Sequence, residues 1–298
     1  MPTNLNIEYL SKFNLSGKDS LKLYSEKTRD DDNLKVFKCI KSDVIVLEKC
    51  HTTEDYYAKN LIHTNQFKGN TYTTKGLIQS KPMDDDIRRF ESYKELIRGA
   101  EILDFGCGRG DFLKLTKNIS KRSLGVELNL TNIEYLNDIG IKCVNKLSEL
   151  NGDKFDLITL NHVFEHLYDP INILIEIVKY LKDDGTIIIE VPHAKDLMLE
   201  TFKLEPYKNF TLWSEHLILH TKESLKKYTE NAGLYVKSIK GFQRYPISNH
   251  YQWLLNGKPS GHEIFYDLND QDFHKHYERF LDNIDQTDTL IGFFNKQN

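Results

Sequence analysis

Short apolar runs alternate with amphipathic segments between residues 86 and 240. Five of these runs predict buried strands: AEILDFG (100–106), SLGVEL (123–128), KCVN (142–145), FDLITLN (155–161) and GTIIIEVP (185–192). The segments between them, such as INILIEIVKYLK, repeat apolar residues at the 3.6-residue period of a helix. Strands that alternate with helices predict an α/β fold with a doubly wound parallel sheet. A further helix and strand are predicted within residues 221–242.

The two ends of the chain have a different pattern. Residues 1–85 are polar and rich in turn signals, with one strand-like stretch at 43–49, and predict a small N-terminal module. The tail, residues 241–298, is rich in aromatic side chains and histidine, and we expect it to be helical between about 268 and 285. We expect this tail to cap the central domain and to contact the substrate.

The composition is that of an ordinary globular protein, since 39% of the 298 residues are hydrophobic and 28% are charged. The net charge of −4 gives no electrostatic reason to expect a nucleic-acid partner. No apolar run approaches the roughly 20 residues that span a membrane. We interpret the charged run DDDIRR (84–89) and the lysine runs as solvated faces.

The sequence favours a cytoplasmic location. Its N-terminus lacks the basic and then apolar layout of a secretory signal. The four cysteines, Cys39, Cys50, Cys107 and Cys143, form no CxxC pair, and we expect them to be reduced. The oligomeric state is not indicated.

Three glycines follow the first predicted strand. Gly106, Gly108 and Gly110 allow a tight turn and a close approach of a ligand to the backbone, because no Cβ intervenes. A dinucleotide fingerprint would place its third glycine at position 111, where the chain has Asp111. The carboxylate of Asp104 would be unfavourable beside a pyrophosphate, but it suits a ligand that carries positive charge.

A second carboxylate, that of Glu127, ends the second predicted strand. Such a carboxylate can accept hydrogen bonds from both hydroxyls of an adenosine ribose and would repel a 2′-phosphate. A ribose-bearing, cationic and phosphate-free cofactor fits both acids, and S-adenosylmethionine (SAM) has this chemistry. One alternative is that the glycines make only a strand-to-helix turn, and a more distant one is an NAD-dependent oxidoreductase.

Four segments resemble the motifs of class I SAM-dependent methyltransferases: ILDFGCGRGDFL, GVEL, FDLITLNHVFEHLYDP and LKDDGTIIIEVPH. The resemblance covers residues 86–240 and implies a Rossmann-like, seven-stranded sheet whose last strand is antiparallel. It also implies a SAM site lined by Asp104, Gly106, Gly108, Gly110 and Glu127. Asn161 and His162, which close the fourth strand, would lie near the methionine end of the cofactor.

A looser resemblance links WSEHLILHTKESLKKYTENAGL to deoxysugar C-methyltransferases, and it implies that Glu215 and His216 belong to the active site. That family also has a cysteine-rich zinc module before a tyrosine-bearing stretch, and here Tyr57 would contact the substrate. Only Cys39 and Cys50 remain at the corresponding place, too few for a tetrahedral zinc site, so we expect a degenerate, metal-free module. The tail is similar to that of uncharacterised bacterial methyltransferases associated with surface polysaccharides.

Methylation of a hydroxyl removes its proton, and histidine suits this step because its ordinary pKa, about 6.5, lies near the working pH. The candidates are His166 and His193, which follow predicted strands, and His216 beside Glu215. Nitrogen needs less base catalysis, and carbon needs an acidified C–H bond.

The motif HVFEH (162–166) has the spacing of a metal-binding pair if His162 and His166 share a helix. The alternative is that Glu165 and His166 cap and orient the helix that follows. We assign no metal to this motif.

The expected function is methylation of a sugar or sugar nucleotide of surface-glycan biosynthesis, with oxygen favoured and nitrogen or carbon open as the acceptor. The tail would supply an aromatic face and polar groups for a sugar ring, from Arg244, Tyr245, Asn249 and His250. The alternative is that these residues pack the tail onto the domain. The sequence NHVF replaces the Asn/Asp-Pro-Pro-aromatic motif of many macromolecular methyltransferases, which argues against that class. A SAM-binding subunit without turnover is the remaining alternative.

Overall fold

The structure is a computed structural model, and it describes residues 3–50 and 82–297. The strands are β1 (Leu21–Ser25), β2 (Val36–Cys39), β3 (Ile45–Leu47), β4 (Glu101–Phe105), β5 (Arg122–Val126), β6 (Lys142–Val144), β7 (Phe155–Asn161), β8 (Leu181–Pro192), β9 (Ile218–Leu219), β10 (Leu234–Phe242) and β11 (Thr289–Lys296). The helices are α1 (Leu5–Lys12), α2 (Asp84–Ser92), α3 (Lys94–Ile97), α4 (Asp111–Thr116), α5 (Leu130–Asp138), α6 (Pro170–Val178), α7 (Leu197–Glu200), α8 (Glu205–Thr211), α9 (Lys222–Asn231), α10 (Ile247–Asn256), α11 (Gly261–Ile264) and α12 (Gln271–Asn283). Short 3-10 turns lie at Leu147–Leu150, Phe164–His166 and Tyr266–Leu268.

Seven strands form the main sheet, in the order β10-β11-β8-β7-β4-β5-β6. Strands β4 to β8 run parallel to one another, whereas β11 is antiparallel to both β8 and β10. This arrangement confirms the α/β fold and the antiparallel last strand that the resemblance implies. The strand order reverses between β4 and β7, and ligands bind beyond the carboxyl ends of the strands at such a point.

The central strands are buried on both faces, which explains why their sequences are continuous apolar runs. Leu103, Leu124, Ile158 and Ile189 come from four neighbouring strands, and each is fully buried. Strand β7 has the bounds predicted from the sequence, and the other predicted strands are each found with small shifts at their ends. Helix α9 and strand β10 likewise occupy the predicted segment.

The tail contributes a strand to the main sheet as well as helices above it. Helix α12 lies within the range predicted to be helical. Strand β11, however, pairs with β8 through Ile291 and Glu190, and with β10 through Gly292 and Ile239. The predicted boundary at residue 240 therefore does not mark the end of the sheet.

The N-terminal module shares a second sheet with the central domain, in the order β1-β2-β3-β9. Asn4 Nδ2 donates to the Leu217 carbonyl at 2.8 Å, and the ring of Phe13 packs against that of Tyr228 at 5.3 Å. The sequence predicted β3 but neither β1 nor β2. Strand β1, with the sequence LKLYS, is an edge strand with no buried position, and its alternation ends after Leu23. It therefore gives only a short period-2 signal. The candidate Tyr57 lies outside the described residues.

Within residues 3–50 and 82–297, no helix has the length and apolar character needed to cross a membrane. Each of the four cysteines is buried, and their reduced state stays a prediction.

Candidate functional site

The glycine loop follows β4 and leaves one position of its backbone open. Gly106, Gly108 and Gly110 all have positive φ, at 74°, 52° and 68°. A Cβ added to Gly106 would lie 2.5 Å from Val163 Cγ2, and one added to Gly110 would collide with Leu136. A Cβ at Gly108 would meet no atom of the described residues within 4 Å. The outer two glycines thus permit close packing, and the middle one borders space for a ligand.

Two carboxylates flank this loop, as the sequence predicted. Asp104, on β4, accepts hydrogen bonds from Thr159 Oγ1 at 2.7 Å and from Asn161 Nδ2 at 3.4 Å. Glu127, just beyond β5, accepts from the backbone N–H groups of Gly108 at 2.7 Å and of Asn129 at 2.8 Å.

The two acids and the open glycine fit a cationic nucleoside. Burial raises the pKa of Asp104 to about 7, against the opposing effect of its hydrogen bond from Thr159. A bound cation would offset that cost of burial and favour the ionised carboxylate. Glu127 lies beside Gly108, where a ribose could replace the backbone donors it now has. The residues therefore fit SAM in charge and in available space.

His162 lies at the end of β7 in a left-handed conformation, with φ of 52°. Residues other than glycine rarely adopt the left-handed region, and those that do concentrate at functional sites. The ring lies between two carboxylates, with Nδ1 3.2 Å from Glu165 Oε1 and Nε2 3.2 Å from Glu190 Oε1. Burial and the charge of Arg244 lower the pKa of His162, but these two acids outweigh them and the net pKa is raised.

A cluster of Glu165, His166 and His216 follows His162. One potential ligand atom from each of the three side chains lies within 4.8 Å of the others. The Nδ1 atom of His166 donates to the Glu215 carbonyl at 2.9 Å. Burial lowers the pKa of His216 to about 3, and His162 and His166 outweigh burial to lower that of Glu165 to about 2. The cluster thus combines a buried anion with a neutral imidazole.

Both sequence-based interpretations of HVFEH need correction. Glu165 and His166 do not cap the next helix, because α6 begins at Pro170 and its N-cap side chain is that of Asp169. His162 and His166 do not share a helix either, since only Phe164–His166 turns, as a 3-10 segment. The partner that joins Glu165 and His166 is His216, which lies just before β9.

His193 and Glu215 contribute differently to this region. His193 Nδ1 donates to the Thr287 carbonyl at 2.9 Å, and its Nε2 lies 3.8 Å from Asp285 Oδ1. Burial lowers the pKa of His193 to about 4. The structure therefore places His193 with residues of the tail. Glu215 is buried and contributes its backbone carbonyl to His166, and a role for its carboxylate stays a prediction.

The candidate substrate residues of the tail differ in exposure. Asn249 Oδ1 accepts from the Gly261 N–H at 3.1 Å, and His250 Nδ1 lies 2.5 Å from Tyr277 Oη. Both side chains are buried, which matches the alternative that they pack the tail. Tyr245 is 38% exposed and keeps part of its ring available to a ligand.

The run DDDIRR is not simply a solvated face, as the sequence suggested. Asp84 and Ile87 are exposed, but Asp85, Asp86 and Arg88 are half-buried and Arg89 is buried. Arg88 Nη2 and Arg89 Nη2 lie 2.7 Å and 2.8 Å from Glu190 Oε1, on β8. The side chains of Arg89 and Glu190 are 6% and 0% exposed. A signal was present in the sequence: Glu190 interrupts the apolar run TIIIEVP, and a charge on a strand buried on both faces needs a buried partner.

The same network joins helix α2 to the tail. Asp86 accepts from Arg89 Nη1 at 2.8 Å, and Asp85 forms an ion pair with Arg244. Burial raises the pKa of Asp85, but the positive charge of Arg244 outweighs burial, and the net pKa is lowered. The ion pair thus fixes the Arg244 side chain against helix α2, in the region where the sequence predicted substrate contacts.

Comparison with known proteins gives a family and a fold. A family model described as a methyltransferase domain matches residues 78–239, more than half of the chain. A crystal structure of a SAM dependent methyltransferase from Archaeoglobus fulgidus has a TM-score of 0.50 and 20% identity, and it covers 79% of this chain and 98% of its own. It has the same fold as this chain.

Two curated proteins are similar in sequence. An uncharacterized protein of Methanocaldococcus jannaschii is 31% identical over 132 residues, or 44% of this chain and 54% of that protein. A ubiquinone biosynthesis O-methyltransferase of Haemophilus ducreyi is 22% identical over 184 residues, or 53% of this chain and 74% of that enzyme. The chain thus spans about half the length of the first relative and three quarters of the second.

Proposed function

Because the chain belongs to the methyltransferase domain family and is a SAM-dependent methyltransferase, we propose that it methylates a hydroxyl oxygen of a small polar substrate. The observation that carries this proposal is the convergence of Glu165, His166 and His216, since one potential ligand atom of each side chain lies within 4.8 Å of the others. Val163 packs against Gly106, so this cluster begins close to the glycine loop. The proposed acceptor position lies between the two.

A cluster of this kind is most useful to an oxygen acceptor. When bound, SAM supplies a methyl group that leaves its sulfonium without the bonding electron pair and joins the acceptor atom. A hydroxyl oxygen gives up its proton in the same reaction. A group that takes this proton, or that lowers the pKa of the hydroxyl, increases the rate by a factor of about 10²–10⁴. A neutral amine already has a lone pair and gains less from such groups.

The substrate class that we propose is a sugar or a sugar nucleotide. Tyr245 offers a half-exposed aromatic face, and the Arg244 guanidinium lies 5.5 Å from its ring centroid. An aromatic ring beside hydrogen-bond donors suits the apolar faces and hydroxyls of a sugar. The test is a comparison of metabolite masses with and without the gene, in which a nucleotide sugar or glycan should differ by one CH2 unit.

Turnover must be measured together with binding to separate an enzyme from a SAM-binding subunit. We expect SAM to bind and S-adenosylhomocysteine to be released in the presence of the substrate found by mass comparison. Tight SAM binding without release on any such candidate would favour the subunit.

Replacement of His216 by alanine should slow turnover by about 100-fold or more, the range expected when help with an acceptor proton is lost. The affinity for SAM should not change, because His216 lies with Glu165 and His166 rather than at the glycine loop. The matched control is His276→Ala, a solvent-exposed histidine of α12, which should keep wild-type turnover. Wild-type turnover in the His216 variant would remove this residue from the site.

The affinity for SAM should rise with pH, by about tenfold between about pH 6 and 8, because the pKa of Asp104 is about 7. Below this pKa the carboxyl is neutral, and above it the anion attracts the cationic cofactor. Calorimetry on wild type and Asp104→Asn should therefore give profiles that diverge as pH rises, with the titration of SAM itself common to both. Superimposable profiles would exclude Asp104 from the site.

A further inference from the structure

We propose that Glu165, His166 and His216 form a binding site for a divalent transition-metal ion. The role given to the ion rests on the proposed function, whereas its binding does not. The three residues come from two separate segments, the 3-10 turn after β7 and the loop before β9. Their potential ligand atoms already lie within 4.8 Å of one another.

The imidazole of His166 is oriented as a metal ligand. Its Nδ1 donates to the Glu215 carbonyl at 2.9 Å, which assigns the proton to Nδ1 and leaves the lone pair on Nε2. That Nε2 lies 3.8 Å from Glu165 Oε1. A backbone carbonyl that receives the second ring N–H is the usual support of a histidine bound to a metal.

The other two residues present buried atoms that lack hydrogen-bond partners in the described part of the chain. These atoms are Glu165 Oε2 and His216 Nδ1. Buried polar atoms without partners are costly, and each such atom in a native structure requires a physical reason. The other carboxylate oxygen of Glu165 is fixed by His162 Nδ1 at 3.2 Å. An ion between the three side chains would supply the missing partner.

The donor set indicates which ions fit. Calcium and magnesium take oxygen ligands, whereas two imidazoles and one carboxylate suit zinc, iron, cobalt or manganese. Three protein ligands leave at least one coordination position for an oxygen atom of another molecule. Since the cluster follows the segment that packs on Gly106, such an oxygen would lie on the proposed acceptor side. The ion would lower the pKa of a bound hydroxyl, and His216 would act as its ligand.

Cobalt(II) is a direct probe, because its visible absorption reports the ligands. The full chain, stripped of metal with a chelator, is titrated with Co²⁺ in the absence of SAM and substrate. We expect one ion per chain, with absorption bands that change on exchange for Zn²⁺. Glu165→Gln and His216→Ala should each weaken Co²⁺ binding by about 100-fold or more, a larger loss than the 10- to 100-fold typical of supporting residues. The control His276→Ala should bind as wild type does.

Two results would overturn the proposal: wild type that binds no Co²⁺, or Co²⁺ binding that is unchanged in both variants. Near-UV circular dichroism establishes whether each variant is folded. If Glu165→Gln does not fold, His166→Ala and His216→Ala decide between the outcomes. Because the titration uses Co²⁺ alone, failure of the methyl-transfer assay leaves its result intact and counts against the proposed function only.

Discussion

Replacing Gly108 by valine should reduce SAM binding to below the detection limit of calorimetry. The position that a Cβ would take at Gly108 is open to 4 Å within the described residues, and it lies beside the backbone N–H that Glu127 binds. A branched side chain would fill this space, which we assign to the cofactor. It would also have to adopt a φ of 52°, which costs about 1–3 kcal/mol.

The chain offers a control that separates this backbone strain from the filling of the pocket. Gly233, between α9 and β10, has a φ of 83° and an equally open Cβ position. Gly233→Val should therefore lose a similar 1–3 kcal/mol or so of folding free energy in urea unfolding but keep its affinity for SAM. A Gly108→Val variant that binds SAM as tightly as wild type would show that the glycine loop is not the cofactor site.

The parallel part of the fold could be predicted because its signals are local. Each central strand is short, apolar and followed by an amphipathic helix, and burial on both faces requires this composition wherever the strand pairs. Strand β11 has a similar apolar sequence, but its place between β8 and β10 depends on partners far away in the chain. No local period records such a pairing, so this strand could not be separated from the tail by its sequence.

The residues of the candidate site likewise fall into those that the sequence could associate and those that it could not. Asp104, Gly108 and Glu127 could be associated from the sequence, since the carboxyl ends of neighbouring parallel strands meet at one edge. The association of Glu165 with His216 could not, because it depends on how the loop before β9 folds back over the end of β7. Spacing alone suggested His162 and His166 as a helical pair, but His162 has a left-handed backbone and lies outside the 3-10 turn of Phe164–His166.

Replacing Glu190 by glutamine should lower the free energy of unfolding by about 3–5 kcal/mol, the cost of removing one partner from a buried ion pair. Glu190 is fully buried, and its oxygens lie 2.7 Å from Arg88 Nη2 and 2.8 Å from Arg89 Nη2. Glutamine keeps the size of the side chain but leaves the two guanidinium groups without its charge. Asp86 still pairs with Arg89 at 2.8 Å, so we expect a value near the lower limit, measured by urea unfolding.

Glu91→Gln, on the same helix, is the matched control, because Glu91 is 58% exposed where it pairs with Lys94 at 3.1 Å. An exposed pair contributes at most about 1 kcal/mol.

The contribution of Glu190 to stability should also depend on pH. His162 and Arg89 outweigh burial and hold the pKa of Glu190 well below its usual range. Its contribution to the free energy of unfolding is therefore complete above the unfolded pKa of about 4.3 and is lost as pH falls. The difference between wild type and Glu190→Gln should thus be largest near neutral pH and shrink below about pH 4. Equal losses in the two variants at neutral pH would mean that the arginines do not depend on Glu190 for their burial, and that α2 is held to β8 mainly by its apolar contacts.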